Sequence, residues 1–276
     1  MHDRSPYPAT RRSRLAATLA LGLLAGCAYL RSPSVPMAST LDAAPAAATS
    51  RVLLVILPGV GDTPDDLIRH GMVQMVRERG IAADVVIADA HFGYYRSRQT
   101  VQRLWQDVIA PARASGYAGV WLAGISIGGL GAMLYGSGVE SDAPDPIAGV
   151  LSIAPYLGDA ALRDEIVAAG GLLAWQPPAE PEDFARRLFA WLRGYGDPTA
   201  KRPPLYLGIG TDDKFFGHAE LLAPLLPADH VITVAGAHRW RPWLEIWGEM
   251  LDRAPLPRLA ARPAADAIAT AATAAP

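Results

Sequence analysis

The chain has 276 residues, a formal charge of −2, 51% hydrophobic residues and one cysteine. So high an apolar content with so little net charge excludes an intrinsically disordered chain, and the length suits a single α/β domain with flanking segments. One Cys permits neither an internal disulfide nor a cysteine-based zinc site, and without a long basic block beyond residue 14 no nucleic-acid partner is expected.

The charge is unevenly spread. Arg4, Arg11, Arg12 and Arg14 against Asp3 give the first 14 residues a formal +3, which leaves −5 on the rest of the chain. The apolar run Leu15 to Leu24 follows, and a basic stretch ahead of such a run is the pattern of an export signal. Even extended to Leu30 the run has 16 residues, short of the roughly 20 that span a bilayer. Leu24-Ala25-Gly26-Cys27 resembles the lipobox of bacterial lipoproteins. The resemblance implies a signal peptide over 1–26, a lipid on the Cys27 sulfur that anchors the protein to a membrane, and a place in the bacterial cell envelope. A plain secretory signal with an incidental Cys, or an anchor that is never cut, is the competing reading. Ala28 stands where lipoproteins held in the inner membrane tend to carry Asp, which points to the outer membrane facing the periplasm. Thr10-Arg11-Arg12-Ser13 resembles a twin-arginine export signal, with Arg14 in place of the usual apolar residue.

Residues 27–50 and 254–276 are dominated by Ala, Pro, Ser and Thr without apolar periodicity. They read as a flexible linker and a disordered tail around a body spanning 51–253. In that body the expected strands are Val52–Leu57, Asp84–Ala88, Val120–Gly124, Ala148–Ile153, Leu205–Ile209 and His230–Val234. Helix-like stretches lie between them, at Asp65–Arg79, Arg98–Ser115, Ile127–Ser137 and Phe184–Gly194. Near-continuous Val/Ile/Leu runs mark strands buried on both faces, hence a mostly parallel sheet in a three-layer α/β/α sandwich. The Trp-, Pro- and Arg-rich insertion at 156–204 is either a small cap over the site or a compact surface helix packed on the sheet. In such folds the site lies at the C-terminal ends of the strands.

Three strand ends carry chemistry. After Val120–Gly124 comes Gly124-Ile125-Ser126-Ile127-Gly128, a G-x-S-x-G pattern between a strand and a small-residue helix. A Ser hydroxyl is a poor nucleophile without a base, and the base needs an orienting group. Leu205–Ile209 leads into Gly210-Thr211-Asp212-Asp213, and the last strand into Gly236-Ala237-His238. The alternative for the first motif is a Gly-rich packing turn with a capping Ser.

The order Ser, Asp, His, each just past a strand, resembles that of the α/β-hydrolase-fold esterases and lipase-like enzymes, over most of 51–253. The resemblance implies Ser126 as nucleophile, His238 as base and Asp213, rather than the turn-shaping Asp212, as the acid. Of the other histidines, His2, His70 and His91 precede Ser126, His218 follows Asp213 too closely, and His230 sits at a strand start. His238-Arg239-Trp240-Arg241-Pro242-Trp243 also resembles a segment of some esterase branches, the alternative being Trp residues that only pack.

In that family the residue after a His-Gly segment on the first strand's loop donates an oxyanion-hole N–H. Here Leu57-Pro58-Gly59-Val60-Gly61-Asp62 has Pro58 in the place of the His, which leaves Val60, with Gly61 as the alternative, and Ile127 as the donors. The aromatics of Ala90-His91-Phe92-Gly93-Tyr94-Tyr95 either touch substrate or pack below the insertion. The implied activity is hydrolysis of small-molecule carboxylic esters of short to medium chain length through an acyl-enzyme, with no metal or organic cofactor. An acyltransferase or thioesterase on the same triad, or a non-catalytic envelope-binding lipoprotein, are the alternatives.

Overall fold

The computed structural model describes residues 31–46, 48, 51–138, 145–178 and 183–260. The signal segment 1–26, Cys27 and the terminal 261–276 lie outside the described residues.

Seven strands form one sheet in the order β1-β3-β2-β4-β5-β6-β7. They are β1 (Ser39–Asp42), β2 (Val52–Leu57), β3 (Asp84–Ala88), β4 (Gly119–Ile125), β5 (Gly149–Ile153), β6 (Leu205–Gly210) and β7 (Val231–Val234). All pairings are parallel except β1 with β3. The six strands expected from apolar runs are present within a residue at either end. The central ones are buried along nearly their whole length, as strands covered on both faces must be. Register sets Leu57 beside Gly124 and Gly210 beside Val234, so the loops leaving β2, β4, β6 and β7 open on the same edge of the sheet.

Helices cover both faces. A helix expected over Asp65–Arg79 is instead two, α1 (Pro64–Arg69) and α2 (Met72–Glu78). The break is at Gly71, whose φ of +84° lies in the left-handed region. Thr63 caps α1 in a capping box: its Oγ1 accepts from the Asp66 N–H while its own N–H donates to Asp66 Oδ2 at 2.8 Å. α3 (Phe92–Arg96) is followed by α4 (Thr100–Arg103), a π-helical stretch (Leu104–Ile109) and α5 (Ala110–Ala114). The wide turns run up to Pro111, whose ring nitrogen has no hydrogen to continue a regular ladder. α6 (Ile127–Ser137) is buried almost throughout. α7 (Ala160–Ala168), α8 (Phe184–Leu192), α9 (Phe216–Leu222) and α10 (Trp240–Arg253) complete the layers.

Two segment boundaries differ from expectation. Within the linker expected over 27–50, Ser39–Asp42 is an edge strand, with Thr40 paired to Ile87 and Leu41 to Val86. Met37 is buried and its N–H donates to Asp107 Oδ2 at 2.7 Å, Ser34 exchanges hydrogen bonds with the Tyr94 hydroxyl, and Arg31 pairs with Asp89. An edge strand held by backbone hydrogen bonds needs no apolar period, so composition alone reads it as linker. The tail expected from 254 likewise starts inside the fold. Ala254 and Leu256 are buried, and Ala82 and Leu259 donate backbone hydrogen bonds to Pro257 and Gly80 at 2.8 and 2.7 Å.

The 156–204 insertion is built into the core. Ile166, Trp175, Leu188, Phe189 and Leu192 are buried in it. Asp159 and Asp183 cap α7 and α8, and the carbonyl of Asp159 accepts from His218 Nε2 at 2.9 Å, which ties α7 to α9.

Candidate active site

Ser126 stands on the turn between β4 and α6 with φ +56° and ψ −115°, a conformation that strains an L-residue. Three backbone hydrogen bonds hold it there: its N–H donates to Ile153, and its carbonyl accepts from Leu130 and Tyr156. The flanking glycines are steric requirements. A Cβ on Gly124 would come within 2.2 Å of the Gly128 backbone, and one on Gly128 within 2.3 Å of the Leu57 carbonyl oxygen. The G-x-S-x-G spacing therefore lets α6 start flush against the ends of β4 and β2.

The loops after β6 and β7 bring Asp213 and His238 to Ser126. His238 Nε2 lies 3.1 Å from Ser126 Oγ, and His238 Nδ1 lies 2.8 Å from Asp213 Oδ2. A carboxylate only accepts, so Nδ1 carries the hydrogen and Nε2 keeps its lone pair toward the serine. The Asp213 side chain is fully buried, and its other oxygen accepts from the Phe215 N–H at 2.9 Å. Asp212 is exposed and serves the turn, its N–H bonded to the Gly236 carbonyl. The His238 ring is gripped edge-on by two aromatics, Phe215 at 5.0 Å and Trp243 at 4.9 Å between centroids. Trp243 thus packs on the His238 ring while lining the site, and Trp240 stacks on His70 at 3.8 Å.

The remaining histidines have other work. His91 caps α3 by accepting from the Gly93 N–H, and burial, then Arg31, hold its pKa below the ordinary value. His218 bonds Asp159, and His230 donates to the Leu205 carbonyl and stacks on Tyr206.

Val60 and Ile127 line the cavity at Ser126, of about 340 Å³. Ile127 is the first residue of α6, so its N–H has no acceptor one turn back, and the helix N-terminus favours negative charge beside it. Phe92, Ile127 and Tyr156 also line a second, largely apolar cavity of about 310 Å³, closed further by Tyr95, Leu130 and Phe184. Phe92 and Tyr95 therefore take part in the cavity walls, and the insertion contributes Phe184. Asp62, Lys214, Phe215 and Tyr156 also line these cavities, and sequence reasoning assigned none of them a role. The one signal was the position of Asp62 in the glycine-rich loop after β2.

No protein-family profile matches the chain, and no curated protein is similar to it. Solved structures do share its architecture. One is FphF, a fluorophosphonate-binding serine hydrolase of Staphylococcus aureus with substrate bound, at 12% identity over 79% of this chain and 94% of that one, TM-score 0.54. Another is a hormone-sensitive lipase from a metagenome library, at 15% identity over 90% of this chain and 92% of that one, TM-score 0.50. At such identities the similarity is one of fold, the mostly parallel sheet of the α/β hydrolases.

Proposed function

We propose that the protein is a serine carboxylesterase acting on short- to medium-chain esters. The observation that carries this reading is the hydrogen-bonded series Ser126–His238–Asp213, with 3.1 and 2.8 Å separations, drawn from three different strand ends. A Gly-rich packing turn with a capping Ser has no need of a buried acid and a base in line with its hydroxyl. Ser126 Oγ attacks the ester carbonyl while His238 Nε2 takes its proton, and Asp213 holds the imidazole and offsets the charge it gains. The Val60 and Ile127 amides stabilise the oxyanion, a contribution worth roughly 10²–10³ in rate per donor. The carbon–oxygen bond to the alcohol breaks as His238 returns the proton to the leaving oxygen. Water then repeats the sequence on the acyl-Ser126 ester and frees the acid. The apolar cavity beside Ser126, at the small end of ligand-pocket sizes of roughly 300–1,000 Å³, suits a short or medium acyl group.

The test is turnover of a p-nitrophenyl acyl ester series by the wild-type protein and Ser126→Ala, with fluorophosphonate labelling alongside. Chain-length-dependent turnover abolished in the variant supports the reading. Turnover that moves wholly to added alcohol or thiol acceptors makes the protein an acyltransferase, and neither turnover nor labelling of Ser126 leaves a non-catalytic binding protein. For the N-terminus we propose a lipid on Cys27 and attachment to the bacterial envelope, supported by the lipobox-like Leu24–Cys27. Membrane fractionation of Cys27→Ser against wild type tests it, and equal membrane retention of the two would overturn it.

A further inference from the structure

One group in the site has no part in the mechanism above. Asp62 lines the catalytic cavity with Ser126 and His238. Its backbone N–H is taken up by the Gly59 carbonyl. Among the described residues no donor is bonded to its carboxylate, whereas Asp66, one turn on, is satisfied by Thr63 and Arg69. The side chain is folded back over the loop that carries Val60: a methyl group on Gly59 would come within 2.8 Å of Asp62 Oδ2. The glycine therefore leaves room for the carboxylate next to the oxyanion site. Burial and the nearby Asp66 push its pKa above the ordinary value against the opposing pull of His70 and His238, as expected of a carboxyl short of hydrogen-bond donors.

The same cavity holds one exposed cation, Lys214, whose Nζ lies 4.8 Å from the Phe215 ring centroid. A permanently cationic substrate group would be drawn to Asp62 and repelled by Lys214. A hydroxyl suits both, since it donates to a carboxylate and accepts from an ammonium. The cleft is thus divided into a polar part with Asp62 and Lys214 and an apolar part walled by Tyr95, Leu130 and Phe184, with Ser126 at the polar side of the divide. We propose that Asp62 reads the alcohol half of the substrate through its free hydroxyls, so that the preferred substrates are esters of a small polyol whose acyl chain occupies the apolar cavity. The inference rests on the serine-esterase reading and assigns Asp62 to specificity, not to bond making.

The experiment compares kcat/KM of the full-length chain, held in mild detergent, on three hexanoyl esters: the glyceryl monoester, the propyl ester and the choline ester. Glyceryl and propyl hexanoate share the acyl chain and the three-carbon alcohol and differ in the hydroxyls. A hydrogen bond to a charged acceptor separates them by about 10- to 100-fold in favour of the glyceryl ester. In Asp62→Ala and Asp62→Asn that ratio is expected to fall towards 1. Fluorophosphonate labelling of Ser126 in each variant shows that its site has formed. A wild-type ratio near 1, or variants that lower both esters equally, would overturn the assignment. A preference for the choline ester that depends on Asp62 would replace the polyol with a cation and also overturn it. If p-nitrophenyl hexanoate is turned over while the glyceryl preference is absent, only this inference fails. If nothing is turned over or labelled, the esterase reading fails with it.

Discussion

Replacing Gly128 by Ala sets helix propensity against steric exclusion at the centre of the site. Within a helix the change gains about 1 kcal/mol. The added Cβ, however, would lie 2.3 Å from the Leu57 carbonyl oxygen and 2.7 Å from that of Pro58, where contacts below 3.0 Å are essentially never seen and 3.0–3.4 Å is already tight. Relief requires α6 and the end of β2 to separate by about 0.7–1.1 Å, and a misplacement near 1 Å costs on the order of 10² in rate. Both obstructing atoms are backbone, so no rotamer change absorbs the clash, and overpacking of this kind costs about 1–3 kcal/mol. Because Ile127 rides on α6 and Val60 on the loop after β2, the separation pulls the two proposed oxyanion donors apart. The expected result for Gly128→Ala is kcat on a p-nitrophenyl ester reduced about 100-fold, with a lower Tm. Gly136→Ala, on the same helix, is the control, since the nearest atoms to its Cβ would all be side-chain atoms, of Ile147, Val150 and Pro203 at 3.1, 3.3 and 3.9 Å. A folded Gly128→Ala protein with kcat within about threefold of wild type would refute the steric argument.

Asp213→Asn preserves shape but lets the amide donate to Nδ1, which turns the imidazole to the wrong tautomer. By comparison with serine proteases kcat should fall roughly 10⁴-fold, and a loss below tenfold would remove Asp213 from the proposed triad. The raised pKa of Asp62 makes a signed prediction about stability. A carboxyl that binds its proton more tightly folded than unfolded costs stability once ionised, so the wild type loses stability as pH rises through the raised value. Asp62→Asn should therefore melt higher than wild type at pH 7, and the gap should close as pH falls below the ordinary value of 3.8. A gap that is constant with pH would show that Asp62 ionises without cost. A chain beginning at Arg31 keeps β1, whereas one beginning at Arg51 loses it and bares the edge of β3, so the second should have the lower Tm and solubility. Equal solubility and Tm for the two would mean that β1 contributes nothing.

Much of this molecule was legible as one-dimensional pattern. Runs such as VLLVIL and DVVIA are buried on both faces, so their apolar content is continuous and their limits are visible. Gly124, Ser126 and Gly128 are visible for a related reason, since backbone packed on backbone tolerates only a missing side chain there. The choice of His238 followed from position after a strand, because parallel strands all deliver their C-terminal loops to one edge. Other features depended on partners distant in sequence. β1 is a strand only because β3 offers it an edge, and Leu256 is buried only because the body presents a surface to it. Asp62 looks in sequence like one more turn aspartate. It becomes a carboxylate lining the cavity at Ser126 only once β2 and β4 lie in register and the loop after β7 brings His238 to the same cavity. Local pattern determined the strands and the turn at Ser126 because their constraints lie within a few residues along the chain. Tertiary structure alone decided the cavities, the absence among the described residues of a donor on Asp62, and the folded ends, because each is a relation between surfaces that the chain brings together from far apart.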